Sequence, residues 1–163
     1  MLQMYVSGLA IDLGTQSPVV ILEETGGKRK RILPIWIGHA EATAIAMKLA
    51  DVDIKRPLSH DLMKLIIEGL DSKVIKVVIN DLREQTFFAQ IFVERKNSLL
   101  TIDARPSDSI ALALRCGAPI YVADHVLKTD LEEKGLSDEE RIESLRERLK
   151  KINPEDFGKF SLK

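Results

Sequence analysis

KVIKVVINDLREQTFFAQIFVERKNSLLTIDARPSDSIALALRCGAPIYVAD, residues 73–124, changes its hydrophobic period once, and that change decides the fold. Up to Ala104 it is β-branched and aromatic, in three runs separated by the polar turns LREQ and RKNS. Three strands joined by turns this short make an antiparallel meander. Residues 73–81 alternate, with Val74, Lys76, Val78 and Asn80 on one expected face and Ile75, Val77 and Ile79 on the other. Beyond the joint, PSDSIALALRCG is apolar nearly all round and rich in helix formers, so a buried helix is expected before a last short strand, APIYVAD.

The N-terminal half follows the same order. MYVSGLAID (4–12), SPVVILEE (17–24) and KRILPIWI (30–37) read as three strands, separated by LGTQSP and by the Gly-Gly turn ETGGK. HAEATAIAMKLADV (39–52) then reads as a buried helix. A further helix spans Leu58 to Leu70, with Leu58, Leu62, Leu65, Ile66 and Leu70 at helical spacing. Strands and helices segregate instead of alternating throughout, which predicts an α+β fold: two antiparallel three-strand meanders in mixed sheet structure with buried helices, plus a charged C-terminal helix.

That last helix belongs to a segment of different composition. Residues 130–163 carry 8 basic and 10 acidic side chains, leaving a body, residues 1–129, with 16 basic and 15 acidic. Ser137 to Glu140 matches a capping box, and a helix to about Ile152 would carry Ile142, Leu145, Leu149 and Ile152 as a narrow stripe. Glu143–Arg146 and Glu147–Lys151 supply helix-spaced ion pairs. So narrow a stripe packs by one edge, against the body or a second subunit, and a homo-oligomer is expected. Phe157 and Phe160 are available to pin the tail. The division is one domain, 1–129, with 130–163 as an appended helix and tail.

A chain of 163 residues with 45% hydrophobic and 30% charged side chains can bury one sizeable core. Cys116 is the only cysteine, which rules out an intramolecular disulfide and a cysteine-based zinc site within one chain. No apolar run reaches the roughly 18–20 residues that span a bilayer, and MLQMYVSGL lacks a basic leader pattern, so no membrane partner and a cytoplasmic location are expected. Few Asn and Gln beside many Lys, Arg and Glu resemble a thermophile composition. The net charge of -1 excludes a protein that grips nucleic acid by bulk charge. The densest basic run, Lys28, Arg29, Lys30 and Arg31, is either a turn into an exposed strand or a phosphate-contacting edge.

Three joints place ionisable groups between apolar elements. Gly38-His39-Ala40-Glu41 offers a general base or metal ligand in His39 beside Glu41, at a helix start whose free N–H groups attract phosphate. Equally, Glu41 complements the helix dipole and His39 is only polar. In Lys55 to Asp61, Ser59 suits an N-cap and Asp61 the first turn, while His60 and Asp61 face different sides of a helix. In TIDARPSD, Pro106 suits a helix start, with Ser107 as cap or Asp108 as first-turn carboxylate. Asp103 ends an apolar strand, where an unpaired buried carboxylate is costly. Either Arg105 neutralises it, or Asp103 and Asp108 converge on a divalent cation while Arg105 holds a phosphate. The chain carries no Gly-rich phosphate loop, nucleophile elbow or paired-His metal motif.

Four segments, LPIWIGHAEATAIA (33–46), RPLSHDLM (56–63), DLREQTFFAQI (81–91) and DARPSDSIALALRCGAPIYVADHVL (103–127), resemble in order those of the bifunctional nuclease family. The resemblance covers nearly all of residues 4–128 and stops before the charged helix. It implies a compact α+β domain that degrades DNA and RNA, with nucleic acid as its substrate. It carries over no catalytic set, so the assignment rests on what phosphodiester cleavage needs. Asp103 and Asp108 would hold Mg²⁺ or Mn²⁺, with His39 or Glu41 as base, Arg105 on the phosphate and Lys28–Arg31 as further contacts. That scheme requires the first and third joints to lie at one end of the sheet, with Asp81 as a reserve ligand. Against it stand the near-neutral body and the single Trp and two Tyr available for base stacking. The competing reading is a non-catalytic oligomeric module that binds a small anion or a protein partner.

Overall fold

The computed structural model describes residues 1–26, 31–127 and 138–157. Strands β1 (Leu2–Asp12), β2 (Pro18–Glu24) and β3 (Ile32–Trp36) form the first meander, followed by helices α1 (His39–Leu49) and α2 (Ser59–Gly69). Strands β4 (Ser72–Arg83), β5 (Thr86–Arg95) and β6 (Ser98–Ala104) form the second, and then come α3 (Pro106–Cys116) and β7 (Ile120–Val122). One mixed sheet results, in the order β3-β2-β1-β7-β4-β5-β6. The short β7 is the seam between the meanders, antiparallel to β1 and parallel to β4. The α+β architecture expected from the pattern is the one observed.

The turns of the second meander are two-residue hairpins with positive φ at Glu84 and Gln85, and again at Lys96 and Asn97. That backbone matches the right-handed twist of the flanking strands. The simple alternation expected along 73–81 is corrected. Register shifts between Val74 and Lys76 and between Ile79 and Asp81 let Val74, Val77, Ile79 and Leu82 all enter one core. Each bulge inserts a residue and resets the parity.

Helices α1 and α3 close the core over one face of the sheet. Ile110, Ala111, Leu112 and Ala113 of α3 are buried, as are Ala42, Ile45 and Ala46 of α1. Helix α2 differs: Leu62, Leu65 and Ile66 are about half exposed, so its apolar stripe faces solvent and not the body. The inward side of α2 is mostly polar, with His60 buried and Asp61 and Lys64 half-buried, and only Ile67 packs on the core.

Arg115 explains how three helices are held in one orientation. Its side chain is 4% exposed, and its Nε donates to Asp61 Oδ1 of α2 at 2.7 Å. Nη1 and Nη2 donate to the carbonyls of Ala111 and Ala44, each at 3.0 Å. One buried guanidinium thus ties α3 to both α1 and α2.

The C-terminal helix is shorter than expected. Helix α4 (Asp138–Arg148) ends before the stripe does, and Leu149–Ile152 form strand β8, which pairs with β1. Leu149 packs on Ala10, Val19 and Ile21, on the face of the sheet away from the helices. As a strand, β8 packs Leu149 and Ile152 against opposite faces of the sheet and leaves Lys150 and Lys151 exposed. The Glu143–Arg146 pair forms at 3.6 Å, and a last turn, α5 (Pro154–Phe157), follows. Ser137 of the expected capping box, Phe160 and the side chain of Phe157 lie outside the described residues.

Candidate active site

The N-terminal ends of the helices converge, bringing together side chains from all three polar joints. Arg105, the N-cap of α3, donates from Nε to Asp108 Oδ2 at 2.7 Å. Its Nη2 lies 2.9 Å from Glu41 Oε1 in the first turn of α1. His60 Nε2, from the first turn of α2, lies 3.0 Å from Asp108 Oδ1. The first and third joints therefore do share one end of the sheet. The Arg105 side chain is 66% exposed while Asp108 is 23% and His60 9%, so the guanidinium is the outward-facing member.

Local sequence produces this arrangement. Pro106 presets the first turn of α3 and puts Asp108 in it, where the carboxylate meets the positive end of the helix dipole. Asp108, and not Ser107, is the residue that matters here, since no side chain caps α3 directly. Likewise α2 is capped by Asp61, whose Oδ2 accepts from the Leu58 N–H at 3.1 Å, and not by Ser59. At α1, Glu41 folds back over Gly38, and a Cβ on Gly38 would collide with its Oε2.

Desolvation works to raise the Asp108 carboxyl, but the hydrogen bonds from Arg105 and His60 outweigh it and hold the group below the usual carboxylate range. Arg105 is correspondingly held above its ordinary value by its bond to Asp108 and then by Glu41. Asp108 is therefore an acceptor at neutral pH and cannot serve there as a proton donor.

A cleft of about 830 Å³ opens beside Arg105, lined also by Gly38, Ser107, Trp36, Phe87 and Arg148. Its far wall is built on Asp12, a fully buried carboxylate. Asp12 accepts from Trp36 Nε1 at 2.7 Å, from the Gly14 N–H at 2.9 Å, and from Arg148 Nη2 at 2.7 Å. Arg148 also lies over the Trp36 ring, 5.4 Å from its centroid. Its hydrogen bond to Asp12 is the main reason the carboxyl is held far below its ordinary range, with burial opposing and Trp36 assisting.

The other expected site residues fall elsewhere. Asp103 is exposed, and its side chain makes no hydrogen bond or ion pair among the described residues. It pairs across the ladder with Gln90, whereas Ala104 pairs with the core residue Ala89, so Asp103 sits on the sheet face away from α3. The expected Asp103–Arg105 pairing is not made, and Asp103 does not join Asp108. His39 is exposed, with its backbone carbonyl accepting from Thr43 Oγ1. Asp81 is occupied by Arg83 and lies 3.5 Å from His125. Arg31 pairs with Glu24 at 2.8 Å, and Lys28, Arg29 and Lys30 lie outside the described residues. Among those residues no helix is long and apolar enough to cross a membrane.

Sequence reasoning set His60 aside as a capping neighbour and did not single out Asp12, Trp36, Phe87 or Arg148. His60 carried a weak signal, a histidine in the first turn of a helix whose start must be near the others. Asp12 and Arg148 are 136 residues apart and carried none.

A model of the bifunctional nuclease domain matches residues 20–134. An uncharacterised protein of Mycobacterium tuberculosis is 39% identical over 161 residues, covering 93% of this chain and 95% of that protein. The chain is also similar to Bifunctional nuclease 2 of Oryza sativa subsp. japonica, 28% identical over 118 residues, 71% of this chain and 36% of the relative. Bifunctional nuclease 1 of Arabidopsis thaliana is 26% identical over 116 residues, 69% and 35% respectively. The chain thus corresponds to about a third of each plant protein.

Proposed function

Because the chain belongs to the bifunctional nuclease domain family, we propose that it hydrolyses phosphodiester bonds of DNA or RNA in the cleft beside Arg105. The observation that carries this reading is the bridge from Arg105 to Glu41 and Asp108 at the meeting point of the helix starts. Family membership supports nucleic acid as the substrate class, and phosphoryl chemistry then has to be assigned to side chains.

The guanidinium of Arg105 is exposed enough to turn into the cleft and clamp two phosphate oxygens in its planar fork. The free N–H groups at the starts of α1 and α3 add partial positive charge there, where the transition state gains negative charge. Trp36 and Phe87 offer ring surface to a base at the other side of the cleft. Glu41, released from Arg105, would take a proton from the attacking water; where Glu41 instead holds a cation, His39 on the same turn is the base. His60 fixes the orientation of Asp108 through its 3.0 Å contact.

A divalent cation fits the donor set at Glu41 and Asp108. Their oxygens lie on adjacent nitrogens of one guanidinium, so two carboxylates share a single Arg charge. Two carboxylates with phosphate and water completing the shell are the usual Mg²⁺ arrangement. When bound, Mg²⁺ or Mn²⁺ supplies charge neutralisation at the phosphate and a lowered pKa for the attacking water. Asp103 would stand outside that shell.

The test is incubation of the purified full chain with end-labelled single-stranded RNA and DNA, with Mg²⁺ or Mn²⁺ and with excess chelator. Metal-dependent cleavage that Arg105→Ala abolishes supports the reading. No turnover with either metal, or turnover that Arg105→Ala leaves intact, overturns it.

A further inference from the structure

Helix α2 is amphipathic in the wrong sense for an isolated chain. A surface helix turns its charges to water and its apolar stripe to the core. Here His60 and Asp61 are tied to Asp108 and Arg115 of the body, while Leu62, Met63, Leu65, Ile66 and Leu70 are 43–54% exposed. The charged residue on the exposed side of α2 is Glu68, which pairs with Lys64 at 3.8 Å.

A second exposed apolar set lies on β6, the last strand in the sheet order, which has no strand beyond it among the described residues. Leu99, Leu100 and Ile102 are 46–59% exposed. Leu100 and Ile102 pair across the ladder with Val93 and Ile91, both core residues, so they point to the helix-bearing side of the sheet. A hollow of about 510 Å³ lies between the two sets, lined by the C-terminal end of α2 (Lys64, Ile67, Glu68) and the β5–β6 turn (Lys96, Asn97).

We propose that a second copy of this chain covers this surface, with the β6 strands of two copies pairing antiparallel at the sheet edge and their α2 faces packing across the same two-fold axis. Area favours that occupant. Seven half-exposed Leu, Ile and Met side chains on the helix-bearing side, leaving out Leu99 on the other face of β6, present on the order of 600 Å² of apolar surface, at the upper end of the roughly 300–600 Å² of the largest patch on a typical monomer and most of the ~800 Å² each partner gives to a stable interface. The edge favours it too, because an unpaired, hydrophobic strand edge is a template for another strand, and β6 has none of the lysines or prolines that usually protect one. A register centred on Thr101 lays Leu100 of one copy against Ile102 of the other, twice, and closes the pair isologously.

This interface involves neither the cleft nor α4, and it stands whether or not the chain cleaves nucleic acid. Light scattering behind size-exclusion chromatography on the full chain, over a range of concentrations, should give twice the 18.3 kDa chain mass. Ile102→Lys and the double variant Leu65→Glu/Ile66→Glu should each give the single-chain mass with the circular dichroism spectrum retained. A wild-type monomer up to ~100 μM, or a dimer that survives both variants, overturns the proposal. If the charged variants do not fold, hydrogen exchange on the wild type decides. Amides of β6 protected in a concentration-dependent way support the pairing, and fast exchange at every concentration overturns it.

Discussion

Arg105 holds Asp108 at 2.7 Å through Nε and Glu41 at 2.9 Å through Nη2, so two carboxylates from two helices share one guanidinium. A planar fork holds the two carboxylates in fixed directions, which the rotating donors of a lysine ammonium do not. Arg105→Lys is therefore expected to lose activity almost as fully as Arg105→Ala, by about 10²-fold in single-turnover cleavage. Recovery of most of the rate with lysine would show that only charge is needed.

Gly38 gives room for the Glu41 carboxylate to lie over the start of α1. Its backbone, φ -75°, suits alanine, so Gly38→Ala should leave the melting temperature within a few degrees. The methyl group would push Glu41 from Arg105, and cleavage should fall by roughly tenfold, read as a loss in kcat with KM little changed. An unchanged kcat would remove Glu41 from the reaction.

Asp12 predicts how acid acts on the wall of the cleft. Its folded pKa is depressed from the ordinary 3.8, so the stability it contributes is complete above about pH 4 and is lost as pH falls through the lower folded value. Asp12→Ala should remove that acid-sensitive part and cost ~2–3 kcal/mol at pH 7, below the 3–5 kcal/mol of a fully buried pair because Arg148 is half exposed. Tryptophan fluorescence would follow it, since Trp36, the one Trp, loses its hydrogen-bond acceptor.

Arg115 is buried with Asp61 and two carbonyls, and its loss leaves all three acceptors without that partner. Arg115→Met should destabilise the fold by about 3–5 kcal/mol in urea titration. A cost under ~1 kcal/mol would mean that the apolar core alone orients the helices.

Much of this was legible in local pattern. The two meanders, the helices between them and the α+β class follow from hydrophobic period and turn residues, which are local properties. Features that depend on partners distant in the chain were not legible. The bulges at 74/76 and 79/81 shift β4 by parity that no propensity encodes. Leu149 and Ile152 fit a helical stripe as well as a strand, and only β1 as a neighbour decides between them. Arg105, Asp108 and Glu41, which the structure brings together, are singled out in the sequence by their chemistry at helix starts. Asp103 was misjudged because an apolar strand suggests burial, yet β6 is an exposed edge. His60 was underrated because its partner, Asp108, is 48 residues away.

The most direct measurement compares cleavage of single-stranded RNA in Mn²⁺ by Asp108→Asn and Asp103→Asn, each checked for folding by circular dichroism. A site at the converging helix starts predicts a loss of about 10²-fold or more for Asp108→Asn and less than ~3-fold for Asp103→Asn. Full activity in folded Asp108→Asn, with activity abolished in Asp103→Asn, would contradict it.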